Sequence, residues 1–199
     1  SIIWFDKALA IEPRYAHALH NKGWTSMCLG KYAEAIIWYD KALAIDPNDV
    51  NTLNNKGFAL MKLKKLEESI IWLDKALDID PKYIHSLSNK GLTLNKLGKR
   101  EEALVWYDKA LAIEPKHVGT LNNKGWTLAN LKKYDEALLL SEMTLELDST
   151  RPEHIHTKGF ILLKLKQYQD AIEWFDKALA IDPNHKDSIK DRQLAVDLL

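Results

Sequence analysis

A single cysteine, Cys28, occurs in 199 residues, so the chain has no internal disulfide and no cysteine-based zinc cluster. Neither sign of charge is in excess, with 28 Lys plus Arg against 28 Asp plus Glu. No global field therefore draws the chain to nucleic acid or to an anionic membrane surface. Apolar runs of the roughly 20 residues needed to span a bilayer are missing, and no signal peptide opens the chain. These absences point to a cytoplasmic protein whose partners are neither nucleic acid nor membrane. The histidines supply no ligand set by spacing: His17 and His20 share a helical face, but Cys28 lies about 12 Å further along the helix. There is no glycine-rich phosphate loop, no asymmetric carboxylate pair and no nucleophile with its base. The expectation is a protein that is not an enzyme and holds no cofactor or metal.

What the sequence does contain is repetition. Residues 122–126 read NNKGW, and near-copies stand at 20–24 (HNKGW), 54–58 (NNKGF), 88–92 (SNKGL) and 156–160 (HTKGF). Gly23, Gly57, Gly91, Gly125 and Gly159 are spaced by 34 residues. Pro13, Pro47, Pro81, Pro115 and Pro183 keep the same beat, with Ser149 in the missing slot. So do Trp4, Trp38, Trp72, Trp106 and Trp174, with Leu140 as the exception. A period of this size marks a solenoid or array, because one such unit cannot bury its apolar face alone.

Each unit carries two helical patterns. In 50–63, Leu53, Gly57, Leu60 and Leu63 share one face. In 66–79 there are two stripes, Ile70, Leu73 and Leu77 beside Trp72, Ala76 and Ile79, so this second helix must be covered on two sides. Prolines in the "DPN" and "EPK" stretches end it, and a short link joins the two helices as a hairpin. Glycine inside a helix costs about 1 kcal/mol against alanine. Its repetition, opposite Ala35, Ala42 and their counterparts, predicts close approach of two backbones.

The period, the paired helices, and Gly23, Tyr32, Ala35, Tyr39, Ala42 and Pro47 in one unit together resemble the tetratricopeptide repeat (TPR) family over essentially the whole chain. The organisation expected is a second helix of a truncated unit at 1–15, full units at 16–49, 50–83, 84–117, 118–151 (the irregular one) and 152–185, and a capping helix at 186–199. That last helix is expected to place Lys186, Asp187, Lys190, Asp191 and Arg192 on a solvated side. The resemblance implies an all-α fold, a right-handed superhelical solenoid of antiparallel helix pairs. In it the first helices line a concave groove that binds an extended peptide or a segment of a partner protein.

On that reading the variable letters of the motif face the groove. Asn21, Asn55, Asn89 and Asn123 precede the glycines by two residues, and Thr157 breaks their ladder. A carboxamide both donates and accepts, so it can hold a peptide backbone; hydrogen bonding to neighbouring helices is the alternative. His20, Asn54 and Asn122 stand one residue earlier. Trp24, Phe58, Trp126 and Phe160 follow the glycines, either as recognition anchors or as packing between first helices. Lys62 and Lys96 lie further along, with Met27, Met61, Ala129 and Leu163 on the same helices. His17, Asn51, His85, Gly119 and Glu153 lie at the helix starts. A carboxylate clamp of the kind found in chaperone-binding members is only partly matched: Asn55 fits, but Trp24 and His20 stand where Asn and Lys would be.

Before each glycine comes Lys22, Lys56, Lys90, Lys124 or Lys158, and an acid keeps the beat on the second helices at Asp6, Asp40, Asp74, Asp108, Glu142 and Asp176. Two readings are open: a ladder of Lys–carboxylate pairs within or between units, its lysine stems lying over apolar surface, or two unrelated solvated stripes. Two further readings stand beside peptide binding. The half-unit with Trp4, Phe5 and Leu9 needs a cover, which either further repeats upstream or self-association with another copy would provide. Beginning at Ser1 inside a helical pattern, the chain also reads as part of something longer, such as the scaffold portion of an enzyme.

Overall fold

The computed structural model describes residues 10–12 and 14–199. Most of the half-unit expected at 1–15, with Trp4, Phe5, Leu9 and Pro13, lies outside the described residues, and so does the self-association surface expected there.

From residue 16 onward the described residues form eleven α-helices and no strand. The chain divides into two compact units, Ser1–Ile113 and Glu114–Leu199. In the first, α1 (Ala16–Cys28) pairs with α2 (Tyr32–Leu43), α3 (Val50–Lys62) with α4 (Leu66–Ile79), and α5 (Ile84–Lys96) with α6 (Arg100–Ile113). In the second, α7 (Val118–Asn130) pairs with α8 (Tyr134–Leu147) and α9 (Pro152–Lys164) with α10 (Tyr168–Ile181), while α11 (Lys186–Leu198) packs on α10. First helices also touch one another, α1 with α3, α3 with α5 and α7 with α9. The fold is an all-α solenoid of helix pairs.

Local chemistry explains the links. First helices end on a residue with positive φ, at Gly30, Lys64, Gly98, Lys132 and Lys166. The next N–H then reaches back along the chain, as from Lys65 to the Leu60 carbonyl at 3.0 Å, which satisfies an orphan acceptor of the last turn. After the second helices, Asp46, Asp80, Asp148 and Asp182 each accept a backbone N–H two residues on, at 3.0–3.1 Å. The acidic links are Asx turns.

The core is built 16 residues out of step with the glycines. Tyr39, Leu73, Tyr107 and Phe175 are each fully buried, and a Cβ built on Gly23, Gly57, Gly91 or Gly159 would lie 2.5–2.8 Å from one of them. The small residue therefore admits a large side chain from the paired helix. The expected backbone approach is secondary: the Ser69 and Ala171 carbonyl oxygens lie 3.3 Å from the Cβ positions of Gly57 and Gly159. In the irregular unit, Ser141 occupies the large residue's slot, and the nearest atoms to a Cβ on Gly125 are at 3.5 Å.

The ladder links successive helix pairs. Lys56 of α3 pairs with Asp40 of α2, and Lys90 of α5 with Asp74 of α4. In the second unit Lys158 meets Glu142 at 3.1 Å. Each ammonium also lies over an indole: Lys56 is 3.3 Å from the Trp72 ring centre, Lys90 3.7 Å from Trp106 and Lys158 4.6 Å from Trp174. The repeated tryptophan is thus the apolar surface beneath the lysine, a cation–π contact in addition to the ion pair.

In α11, Arg192 takes the lysine's place against Asp176, and Asp191 meets the buried His156 at 3.1 Å. Asp191, with its side chain 14 % exposed, departs from the solvated side expected for it, whereas Arg192 stays partly exposed while pairing with Asp176. The 34-residue register carries into this helix and turns them toward the preceding pair.

Candidate functional site

The first unit contains a cleft of about 430 Å³. His20, Trp24 and Met27 reach it from α1, Asn51, Asn54, Asn55 and Phe58 from α3, and His85 and Asn89 from α5, with Tyr83 just ahead of α5. It lies across three first helices, because the residues flanking the repeated glycine fall on one face of each.

A carboxamide relay organises the floor. Asn54, 5 % exposed, accepts from the Ser86 hydroxyl at 3.1 Å and from Asn89 Nδ2 at 2.9 Å. It donates through Nδ2 to Asn55 Oδ1 at 3.1 Å. Asn55 and Asn89 are half-buried and remain on the cleft wall. The Tyr83 hydroxyl donates to Asn51 Oδ1 at 2.7 Å. Burial first, then the nearby charges of Asp49 and Asp80, push its pKa up, so it stays a donor.

At the other wall the Thr52 hydroxyl donates to the Asp49 carboxylate. Its oxygen is then the acceptor for His20 Nδ1–H, at 2.7 Å. Burial lowers the His20 pKa, against the opposing pull of Asp49. The ring is neutral with its proton on Nδ1, leaving Nε2 as an acceptor.

Nine of the residues expected along the groove therefore meet at one place: His20, Trp24, Met27, Asn51, Asn54, Asn55, Phe58, His85 and Asn89. Trp24 is 48 % exposed. Asn54 lines the cleft with little of its surface exposed, and its side chain is engaged by Ser86, Asn89 and Asn55. Asn21 is half-buried and donates to His17 Nδ1 at 3.1 Å. Lys62 is exposed beside Phe58, with its ammonium 5.2 Å from that ring centre, and Lys96 is exposed at the end of α5.

The second unit is arranged differently. Trp126 and Phe160 stack at 3.9 Å between ring centres, and His156 stacks on Trp126 at 5.6 Å. Phe160 is 7 % exposed. Of the two roles open to these aromatics, packing between first helices is the one found here, so Phe160 is corrected from groove anchor to core. Asn123 is half-buried and its backbone carbonyl accepts from the Thr127 hydroxyl at 2.8 Å. Asn122 is half-buried, with its Oδ1 enclosed and unpaired among the described residues. Met61, Ala129 and Leu163, expected along the groove, are buried.

Sequence reasoning missed Tyr83. The available signal was an aromatic at the N-cap slot, where Asp49 caps α3 and Tyr83 makes no capping bond to α5. Among the described residues no cluster of three or more His, Cys, Asp or Glu is placed to hold a metal ion. No described helix is long and apolar enough to cross a membrane.

This architecture is a known one. Profiles described as tetratricopeptide repeat or TPR repeat match residues 28–64, 49–113, 106–138 and 156–185. The chain belongs to the tetratricopeptide repeat family. Proteins of this family generally mediate protein–protein interaction. No curated protein matches the sequence significantly. Among solved structures, TTC0263, a thermophilic TPR protein in Thermus thermophilus, aligns with a TM-score of 0.80 at 20% identity, over 91% of this chain and 98% of that one. YrrB, described as a TPR protein with an unusual peptide-binding site, aligns at 0.62 and 23% identity, over 95% of this chain and 97% of that one. The APC/C Cut9–Hcn1 hetero-tetramer gives 0.89 and 19% identity, over 98% of this chain but only 39% of that one. At these identities the likeness concerns the fold alone.

Proposed function

We propose that the chain is a protein-interaction module and that the cleft of its first unit holds an extended peptide segment of a partner protein. Asn55 and Asn89 bond the segment's backbone, while Trp24, Met27 and Phe58, which also line the cleft, take a side chain. One observation supports this above the rest: two half-buried carboxamides held in fixed orientation on the wall of an open aromatic cleft. An amide that has already given up water and rotamer freedom loses little more on binding. YrrB, a protein of the same fold described as having an unusual peptide-binding site, supports this reading.

The test is binding of N-acetylated, C-amidated peptides, drawn from a positional-scanning library, to the full chain by fluorescence anisotropy. Asn55→Ala with Asn89→Ala is expected to weaken binding about tenfold or more, from two lost hydrogen bonds of roughly 1 kcal/mol each, while a circular-dichroism melt reports separately the cost of the bonds that buried Asn54 loses. Unaltered affinity would refute the assignment.

A further inference from the structure

The lining of the first-unit cleft includes no Lys, Arg, Asp or Glu, yet charge stands at both of its ends. Lys62 and Lys96 are the last residues of α3 and α5. Lys62 lies one helical turn beyond Phe58, which lines the cleft, and Lys96 is its counterpart one repeat later, so both stand on the groove side of their helices. Both are exposed, and neither is paired with a carboxylate among the described residues. Lysines on the adjoining links, by contrast, are neutralised: Lys31, Lys65 and Lys99 pair with Glu34, Glu68 and Glu102 at 3.7, 3.2 and 3.5 Å. A cation at a helix C-terminus suits the macrodipole, but the fold does not require one here, since α1 and α7 end on Cys28 and Asn130 at the same register. At the opposite ends of α3 and α5 the sign reverses, with Asp46, Asp49 and Asp80 against Lys82 alone in the links.

Resting on the peptide-binding reading above, we propose that the segment held here is acidic: one apolar side chain sits among Trp24, Met27 and Phe58, and two Asp or Glu side chains near it are directed at Lys62 and Lys96. Packed helices lie about 8–10 Å apart and an extended chain advances about 3.3 Å per residue, so the two acids stand two or three residues apart. Side chains of one segment reach both ammonium groups, whereas a single terminal carboxylate reaches one. The division of roles is that of other recognition surfaces, where a buried apolar anchor supplies affinity and charges on the rim choose the partner. Exposed ion pairs are individually weak, so the acids set a preference and leave the bulk of the affinity to the cleft.

The experiment titrates the full chain, by fluorescence anisotropy, with short N-acetylated, C-amidated peptides of Ala and Ser that carry a central Leu. A pair of Glu, of Gln or of Lys is moved along either side of that Leu. At low salt the best Glu pair is expected to bind about fivefold more tightly than the matching Gln pair and more tightly still than the Lys pair. The preference should shrink at about 0.5 M salt, where exposed charges are screened. Lys62→Glu with Lys96→Glu should reverse the order of the Glu and Lys pairs. Lys164→Glu, the same change at the end of α9, should leave the order as it was. Order of preference is a readout that general destabilisation does not move, and a melt of each variant reports folding separately.

Equal affinity for the Glu, Gln and Lys pairs, an order unchanged in the Lys62 and Lys96 double variant, or the same reversal in Lys164→Glu would each overturn the inference while leaving the groove reading standing. So would a peptide without Glu but with a free C-terminal carboxylate that matched the best Glu pair, because the acid would then come from a chain end. Failure of every peptide to bind the unmodified protein would overturn the groove reading, and this inference with it.

Discussion

Sixteen residues decide the fate of each motif glycine. Where Tyr107 fills the space beside Gly91, an added Cβ would meet ring carbons at 2.6 and 2.7 Å. Where Ser141 stands instead, the same Cβ on Gly125 makes ordinary contacts. Gly91→Ala should therefore destabilise the protein by about 1–3 kcal/mol through overpacking. Gly125→Ala should be neutral or stabilise it by up to about 1 kcal/mol, the helical cost of glycine removed. Urea midpoints of the two variants against the parent check this; equal losses at both sites would contradict it. The NNKG letters are plain in the sequence, but spacing alone suggests backbone approach as the reason for the glycine, because its true neighbour lies on another helix.

His20 gives a pH dependence whose sign follows from burial. Its folded pKa lies below the ordinary value, so below about pH 6.5 the unfolded chain binds a proton that the folded one resists. Its contribution to stability is complete above that pH and is lost as the pH falls through the folded value. Thermal melts between pH 7.5 and 5 should show a smaller decline for His20→Gln than for the parent. An identical decline would mean that His20 is not the group responsible.

At the scale of helices, what matters is how one pair is locked to the next. Lys56 has a side chain 8 % exposed while Asp40 is 53 % exposed, so the two partners are not equivalent. Removing the acid strands a largely buried ammonium, kept only by Trp72; removing the lysine leaves a carboxylate that water can reach. Asp40→Leu should cost about 1–2 kcal/mol, Lys56→Met less, and the double variant should recover most of the loss. A thermodynamic cycle by chemical denaturation measures this, and strict additivity would reduce the ladder to two independent stripes. The beat of lysine and acid is legible because periodicity survives without any three-dimensional knowledge. The tryptophan beneath each lysine is visible as a repeat but not as a partner, since an indole at that position is equally well read as core. In α11, Ile189 and Val196 are 48 % and 42 % exposed, where Ile155 and Leu162 of α9 are 5 % and 7 %. This helix continues the register with no second helix covering that face among the described residues.

For the molecule as a whole, the two compact units use the same motif for different ends. In the first, Trp24 and Phe58 border an open cleft; in the second, Trp126, Phe160 and His156 fill the equivalent space with one another. Trp24→Ala should lower peptide affinity about 30-fold, as a recognition anchor worth roughly 2 kcal/mol, with little change in melting. Trp126→Ala should do the reverse, costing about 1–3 kcal/mol of stability while leaving affinity intact. Anisotropy titrations and melts on both variants separate the roles, and matching effects would deny the division of labour.

The sequence by itself determined the helical pairs, their 34-residue repetition, the turns and the shared beat of lysine and acid. Each of these depends on spacing along the chain, which a helix converts into position at 3.6 residues per turn. Only the tertiary structure decided which copies of the motif stay open, which asparagine is engaged by its neighbours with little surface exposed, and which aromatic becomes core. Those outcomes depend on side chains brought together from different helices, where one substitution, a Ser141 for a ring or a Thr157 for an amide, changes what the next helix can reach.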